Sequence, residues 1–343
     1  MLRSLATLPI AFRALAVLAY CAGFMLDGAA AQEDIVLTEF VATEAAQPES
    51  WQLVVESHEH AESESLPEFA APSDEELSTG PLLMDEYQGD PWSWRWVPEG
   101  LIYHSYMAGV HEPRLALVTF YEASDARTLW DATLGGRVGI LQYGNGDPFS
   151  PEGYQLDFYG AAIARLDTEN RQDLDSTDYV FGLPLTFGDE IIQYKVGYAH
   201  ISSHLGDEYA ISHPGALAQR INYVRDSLEF GASYYPIPAL RTYGELDWAF
   251  HRSGGARPLM FEFGSELSKP GPTGFTPFVA VNARLRQEHD FGGDLAAQFG
   301  WLRRNLLGQT LRFGGHYYNG KSSQSQFFTT SEEQVGMGLW YDF

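Results

Sequence analysis

Cysteine is all but missing from this chain: Cys21 is the one such residue among 343. An internal disulfide framework is therefore excluded. Lys and Arg are absent from residues 32–94, and number 21 in the whole chain against 46 Asp and Glu, for a formal net charge of −25. Such a chain has no surface for nucleic acid, because affinity for a phosphate backbone comes from Lys and Arg. Beyond the N-terminus no apolar run reaches the roughly eighteen residues of a helical membrane span. No phosphate loop, zinc spacing or nucleotide fingerprint occurs.

What is present favours strands. The chain holds 34 Gly, 19 Tyr and 21 Phe, a mix suited to turns, strands and aromatic girdles. The N-terminus has the pattern of a secretory signal over residues 1–31. Arg3 and Arg13 supply positive charge, Ala14 to Leu26 is apolar, and Ala29-Ala30-Ala31 offers a small-residue cleavage site before Gln32. An uncleaved anchor is the rival reading, but the stretch is short for a bilayer span. A lipoprotein site at Cys21 is disfavoured by bulky Tyr20 before it. Residues 32–90, rich in Glu, Ala, Ser and Pro, are expected to be a solvated, disordered periplasmic segment. His58 and His60 within it are expected to belong to a solvated loop rather than a metal site.

The texture changes at Trp92, Trp94 and Trp96. Three tryptophans this close suit an interfacial anchor beside a barrel wall, or a lid over one barrel end. From about residue 114 onward, apolar residues alternate with polar or small ones. The last segment is the clearest: Val335, Met337, Leu339, Tyr341 and Phe343 share one face, and Gln334, Gly336, Gly338 and Asp342 the other. A terminal aromatic preceded by apolar residues at every second position resembles the recognition signal of outer-membrane barrels. That resemblance implies engagement with the barrel assembly machinery.

Eleven further segments carry the same alternation: 114–123, 129–143, 153–166, 178–188, 190–204, 220–235, Leu240–His251, Leu259–Leu267, Phe275–Arg286, Asp294–Trp301 and Thr310–Tyr318. Together with the last they make twelve, and single-chain bacterial barrels have even strand numbers. The fold expected for residues 91–343 is all-β: a transmembrane antiparallel up-and-down β-barrel of about twelve strands, behind an acidic N-terminal extension. A periplasmic C-terminus requires long connections on the outer side, and 167–177, 205–219 and Asn319–Gln326 fit. Gly144–Gly153 is long for a periplasmic turn, and Pro184 is awkward inside a strand. Leu101–Met107 is either a further strand or part of a plug. Inward charges such as Arg241, Glu245, Arg284 and Arg312 are expected to form a solvated or plugging network.

One segment carries possible chemistry. Ile192, Tyr194, Val196 and Tyr198 form an apolar face, and period two continues that face through His200, Ser202 and His204. Counted back from the C-terminus, the strand runs outward, which puts His200 and Ser202 at outer-leaflet depth. Polar groups facing lipid are costly without a purpose. Imidazole and hydroxyl two positions apart on one face provide the base and nucleophile that acyl transfer needs, given a third group to orient the imidazole. Asn222 shares the apolar parity of the next strand and is the first candidate for that group. Asp207, Glu208, Gln219 and Asp226 are the fallbacks. The competing reading is a polar interfacial girdle beneath an extracellular loop.

A twelve-stranded barrel with His-x-Ser on its lipid face and an Asn on the following strand resembles the outer-membrane phospholipase A family. By that likeness Ser202 is the nucleophile, His200 the base and Asn222 the orienter. Lipid A deacylase barrels have a similar His-x-Ser with a Glu, on fewer strands. Ser203 and His204 follow the serine where those families carry Asn and Gly. The phospholipase likeness also implies outer-membrane lipids as partners, calcium as cofactor and a homodimer at the membrane. Asp207 and Glu208 are the carboxylates that could serve calcium. A second, broader resemblance rests on Gly100–Tyr106, His111–Arg114 and the His200–Glu208 run. These are similar to an uncharacterised bacterial family, domain of unknown function 1207, over about residues 90–343. It implies an exported envelope protein and no reaction. Two functions stand: a structural or transport barrel of the bacterial outer membrane, or a lipid acyl-ester hydrolase of the outer leaflet.

Overall fold

A computed structural model describes residues 92–343. The expected signal sequence, 1–31, and the expected disordered segment 32–90, with His58 and His60, lie outside the described residues. Thirteen strands follow in chain order: β1 Ser93–Trp96, β2 Leu115–Glu122, β3 Arg127–Gly144, β4 Gly153–Asp167, β5 Asp173–Gly188, β6 Ile192–Leu205, β7 Val224–Ile237, β8 Leu240–Ser253, β9 Leu259–Ser268, β10 Thr273–Arg286, β11 Gly293–Arg304, β12 Thr310–Lys321 and β13 Ser331–Asp342. Each strand from β2 to β13 pairs antiparallel with its sequence neighbours, and β13 returns to β2 from Leu115↔Tyr341 to Glu122↔Gln334. The result is a closed up-and-down barrel of twelve strands, as the alternation predicts, and closure removes the sheet's open edges.

The extra strand β1 lies beside the last residues of β3, from Ser93↔Gly144 to Trp96↔Leu141. There it occupies the edge that short β2 leaves unpaired. Trp94 and Trp96 are exposed, and Trp92 and Trp94 lean on the Tyr143 ring. The tryptophans thus belong to the outer wall and not to a lid.

Side-chain parity decides which residues meet the inside. Leu339, Met337, Phe313, Trp301, Phe263, Phe230 and Phe181 are exposed on the outside. The inward positions are polar and paired: Arg137 binds Asp157 at 2.6 Å, Arg165 binds Asp131 at 2.8 Å and Glu332 at 2.7 Å, and Lys195 reaches Glu245 at 2.7 Å. Pro184 is accommodated within β5. The ladder to β4 skips from Leu156↔Leu185 to Tyr159↔Gly182, so the missing N–H lies at a break, and Gly197 stands opposite on β6.

The lumen is filled. Residues 97–114 leave β1, pass into the barrel and return to the start of β2. Leu101, Ile102, Tyr103, Tyr106 and Ala108 are all buried there, so this segment is a plug and not a strand. Arginines hold its carbonyls, which have no ladder to join. Arg241 donates to His104 O (2.8 Å) and Ser105 O (3.3 Å), and Arg114 and Arg312 donate to Met107 O (2.7 and 3.2 Å). Tyr106 stacks on Tyr243 with ring centroids 3.8 Å apart. The long turn 145–152 supports the root of this plug. Gly100 adopts φ +81° with its α-carbon against Pro148, where a β-carbon would lie 2.5 Å from the Pro148 carbonyl oxygen.

At the far rim, opposite the C-terminus, the connection 322–330 folds inward as a cap. Ser322 to Gln326 are buried, and Phe328 packs beside Tyr223 and Ala256. Plug and cap meet at Asp178 on β5. Its carboxylate accepts from His111 Nε2 (3.1 Å) of the plug, from Ser325 N (2.9 Å) of the cap, and from the Ser203 hydroxyl of β6. Arg284 donates to His111 Nδ1 at 2.7 Å, which places the imidazole proton on Nε2.

Candidate functional site on the outer wall

The His200 segment lies on β6 near the far rim. The register Leu183↔Tyr198, Phe181↔His200 and Tyr179↔Ser202 matches exposed outward residues of β5 with Tyr198, His200 and Ser202. These side chains therefore sit on the outer face, with His204 beyond them. The adjacent serine points the other way: Ser203 is buried and bonds Asp178 inside.

A carboxylate from the next strand organises the group. Asp226 of β7 is opposite His200. Its Oδ1 accepts from His200 Nδ1 at 2.7 Å and from the Tyr198 hydroxyl at 2.5 Å, and its Oδ2 accepts from His251 Nδ1 at 2.7 Å. His200 and Asp226 side chains are each 19% exposed, whereas His251 is 65% exposed. The His200 ring also stacks on Phe181, centroids 4.7 Å apart.

His251 reaches the outer face by a backbone irregularity. Trp248 and Phe250 point outward, so strict alternation would turn His251 inward. The β7–β8 register shifts between Asp226↔His251 and Ser227↔Ala249, leaving Phe250 as the extra residue. Bulges re-aim side chains in this manner and are common beside functional sites. Sequence parity alone carries no sign of it, and neither His251 nor Tyr198 stands among the residues singled out from sequence.

Other sequence candidates are placed as follows. Asn222 precedes β7 instead of lying on it. It is exposed, and its carbonyl accepts from Ser253 Oγ at 2.7 Å; the imidazole partner is Asp226. Tyr223 beside Asn222 is buried under the cap, and its carbonyl accepts from Ser203 N of β6 at 3.0 Å. Ser202 lies on the same face as His200, and no hydrogen bond joins the two. Asp207 and Glu208 are exposed in the first turn of a short helix, Asp207–Ser212. Among the described residues no group of three or more His, Cys, Asp or Glu is placed to hold a metal ion.

Carboxylate oxygens only accept, so both imidazoles donate through Nδ1, and in the neutral form the lone pair lies on Nε2. For His200 that leaves Nε2 available as a base on the face that carries Ser202.

Residues 119–343 match the model of a family described as Protein of unknown function (DUF1207). This chain belongs to that family. The family takes in every strand from β3 to β13, and with them Tyr198, His200, Ser202, Asp226 and His251. No curated protein matches the chain. A solved structure of a mutant Rh. blastica porin is similar over 67% of this chain and 98% of its own, with 10% identity and a TM-score of 0.29.

Proposed function

We propose that this DUF1207 protein is an outer-membrane barrel whose outer wall hydrolyses lipid acyl esters, with Ser202 as nucleophile, His200 as base and Asp226 as orienter. The hydrogen bond from His200 Nδ1 to Asp226 Oδ1 (2.7 Å) on the outer face carries this reading. It supplies the fixed tautomer that a nucleophile–base–carboxylate relay requires. The exposed apolar exterior supports a bilayer location. With the C-terminal rim on the periplasmic side, as the terminal signal implies, the site lies in the outer leaflet.

The chemistry runs in two halves. Ser202 Oγ attacks the ester carbonyl carbon while its proton passes to His200 Nε2. The tetrahedral intermediate expels the alcohol, which takes that proton, and leaves acyl-Ser202. Water, deprotonated by the same nitrogen, then attacks the acyl-enzyme, and the acyl–Oγ bond breaks as Ser202 Oγ takes that proton back, releasing the fatty acid. Asp226 stabilises the imidazolium in both halves. The Ser202–His200 bond of the working site is expected to form when substrate seats, since such bonds are often long in free enzymes.

The measurement is fatty acid release by purified, folded protein from phosphatidylethanolamine vesicles and from lipid A, with and without calcium, beside Ser202→Ala. No release from either lipid under either condition sinks the hydrolase. The second reading, a structural or gated transport barrel, is favoured by a lumen closed with two loop segments. It requires conductance or solute flux in planar bilayers that is indifferent to Ser202→Ala.

A further inference from the structure

The C-terminal rim encloses a cavity of about 600 Å³ between the underside of the plug and the turns around Pro148, Glu190 and Pro238. Its size falls within the usual range for small-molecule sites. Charge pairing singles out one of its lining residues. Lys195, Arg225, Arg284 and Arg312 elsewhere in the lumen, and Arg241 in the wall of this cavity, each have a carboxylate partner within 3.5 Å. Arg304 of β11, on the inward face beside Leu302, forms no ion pair with any described residue. Its Nε donates to Thr310 Oγ1 (3.2 Å) and its Nη1 to the Lys269 carbonyl (2.9 Å), two neutral acceptors that hold the guanidinium in place.

The acids around it are already used. Glu266 accepts from Met107 N and Arg241, and Asp342 accepts from Arg312 with Arg114 also within ion-pair distance. Glu190 is exposed at the lip. A guanidinium held in place beside a half-enclosed space, with no carboxylate partner for its charge, is what a bound anion would complete.

We propose that this vestibule binds a small anionic solute through a carboxylate or phosphate group gripped by Arg304. Because His104 and Ser105 of the plug line the same cavity as Arg304 of the wall, the solute sits between the two. The proposal does not depend on the wall chemistry at Ser202.

The test uses the full chain folded in detergent, titrated calorimetrically with inorganic phosphate, glycerol 3-phosphate and succinate, with neutral glycerol as control. Saturable one-to-one binding of at least one anion is expected, weakened at least tenfold in Arg304→Gln and unchanged in Lys321→Gln at the far rim. No saturable binding of any of the three anions overturns the proposal, as does affinity unaffected by Arg304→Gln or equally weakened by Lys321→Gln. If Arg304→Gln fails to fold, phenylglyoxal labelling of the wild-type chain decides. Slower modification of Arg304 in the presence of the anion supports the site, and unprotected labelling overturns it.

Discussion

Strands β6, β7 and β8 carry charge on both faces, and the two faces mean different things. Inside, Lys195, Glu229, Glu245, Arg225 and Asp247 pair with one another and need no further purpose. A filled polar lumen holds such pairs at little net gain or loss. Outside, Tyr198, His200, Ser202, Asp226 and His251 lie in a wall otherwise built of Phe181, Phe230, Trp248 and Phe250. On a lipid-facing wall, as proposed, a carboxylate and two imidazoles would forfeit hydration. Under the proposed function the same residue types describe packing on one face and chemistry on the other, and strand parity with one bulge separates them.

The sharpest way to break this comparison is to change one group on the outer face. Asp226→Asn should lower acyl release by about 10²- to 10⁴-fold, because the amide no longer enforces the Nδ1–H tautomer. Asn222→Ala should stay within about twofold, since its side chain is not the imidazole partner. Equal loss in both variants would return the orienting role to Asn222. His251→Ala should have the smaller effect of the two imidazoles, because His200 stands two positions from Ser202 on β6 whereas His251 lies on β8.

On the inner face, the largest effect is expected at Asp178, where plug and cap meet. Asp178→Ala leaves His111 Nε2, Ser325 N and Ser203 Oγ with one acceptor fewer, at about 1–3 kcal/mol for each group left unsatisfied. Urea unfolding in vesicles should show lower stability, and planar bilayers should show openings absent from wild type. Acyl release should survive in the folded fraction. Loss of acyl release without loss of stability would mean that the two faces are coupled through Ser203 and its neighbour Ser202.

The barrel was legible in the sequence because period two is a direct imprint of a wall with unlike sides. Twelve alternating segments, the long connection 319–326 and the outward parity of His200 and Ser202 all follow from it. Departures arise where the backbone stops alternating. The bulge at Phe250 redirects His251, and nothing in Phe250-His251-Arg252 announces it. The observed β7 begins at Val224, past Asn222, and its register sets Asp226 beside His200. The plug was ambiguous because 101–107 is apolar enough for a strand. Its state depends on Arg241, Arg114 and Arg312, whose carbonyl contacts form only in the closed barrel. Arg304 lies beyond the expected strand Asp294–Trp301, and only the observed length of β11 sets it on the inward face.

The smallest expected effect is a pH dependence of the plug, and it sharpens the contrast between a closed interior and a reactive wall. Burial, then the charges of Arg241 and Arg304, push the His104 imidazole down to about 3. A histidine on a released plug titrates near 6.5. Between those values the released plug takes up a proton that the seated plug refuses, so seating weakens as pH falls through 6.5 toward 3 and is constant above that range. Openings in planar bilayers should therefore be rarer at pH 7.5 than at pH 5. His104→Gln, which has no proton to gain, should flatten that difference while leaving the pH 7.5 behaviour close to wild type. If the variant and wild type show the same slope, the lumen carboxylates and not the plug imidazole set the response. If acyl release by wild type follows the same curve as the openings, the interior and the wall are one coupled system.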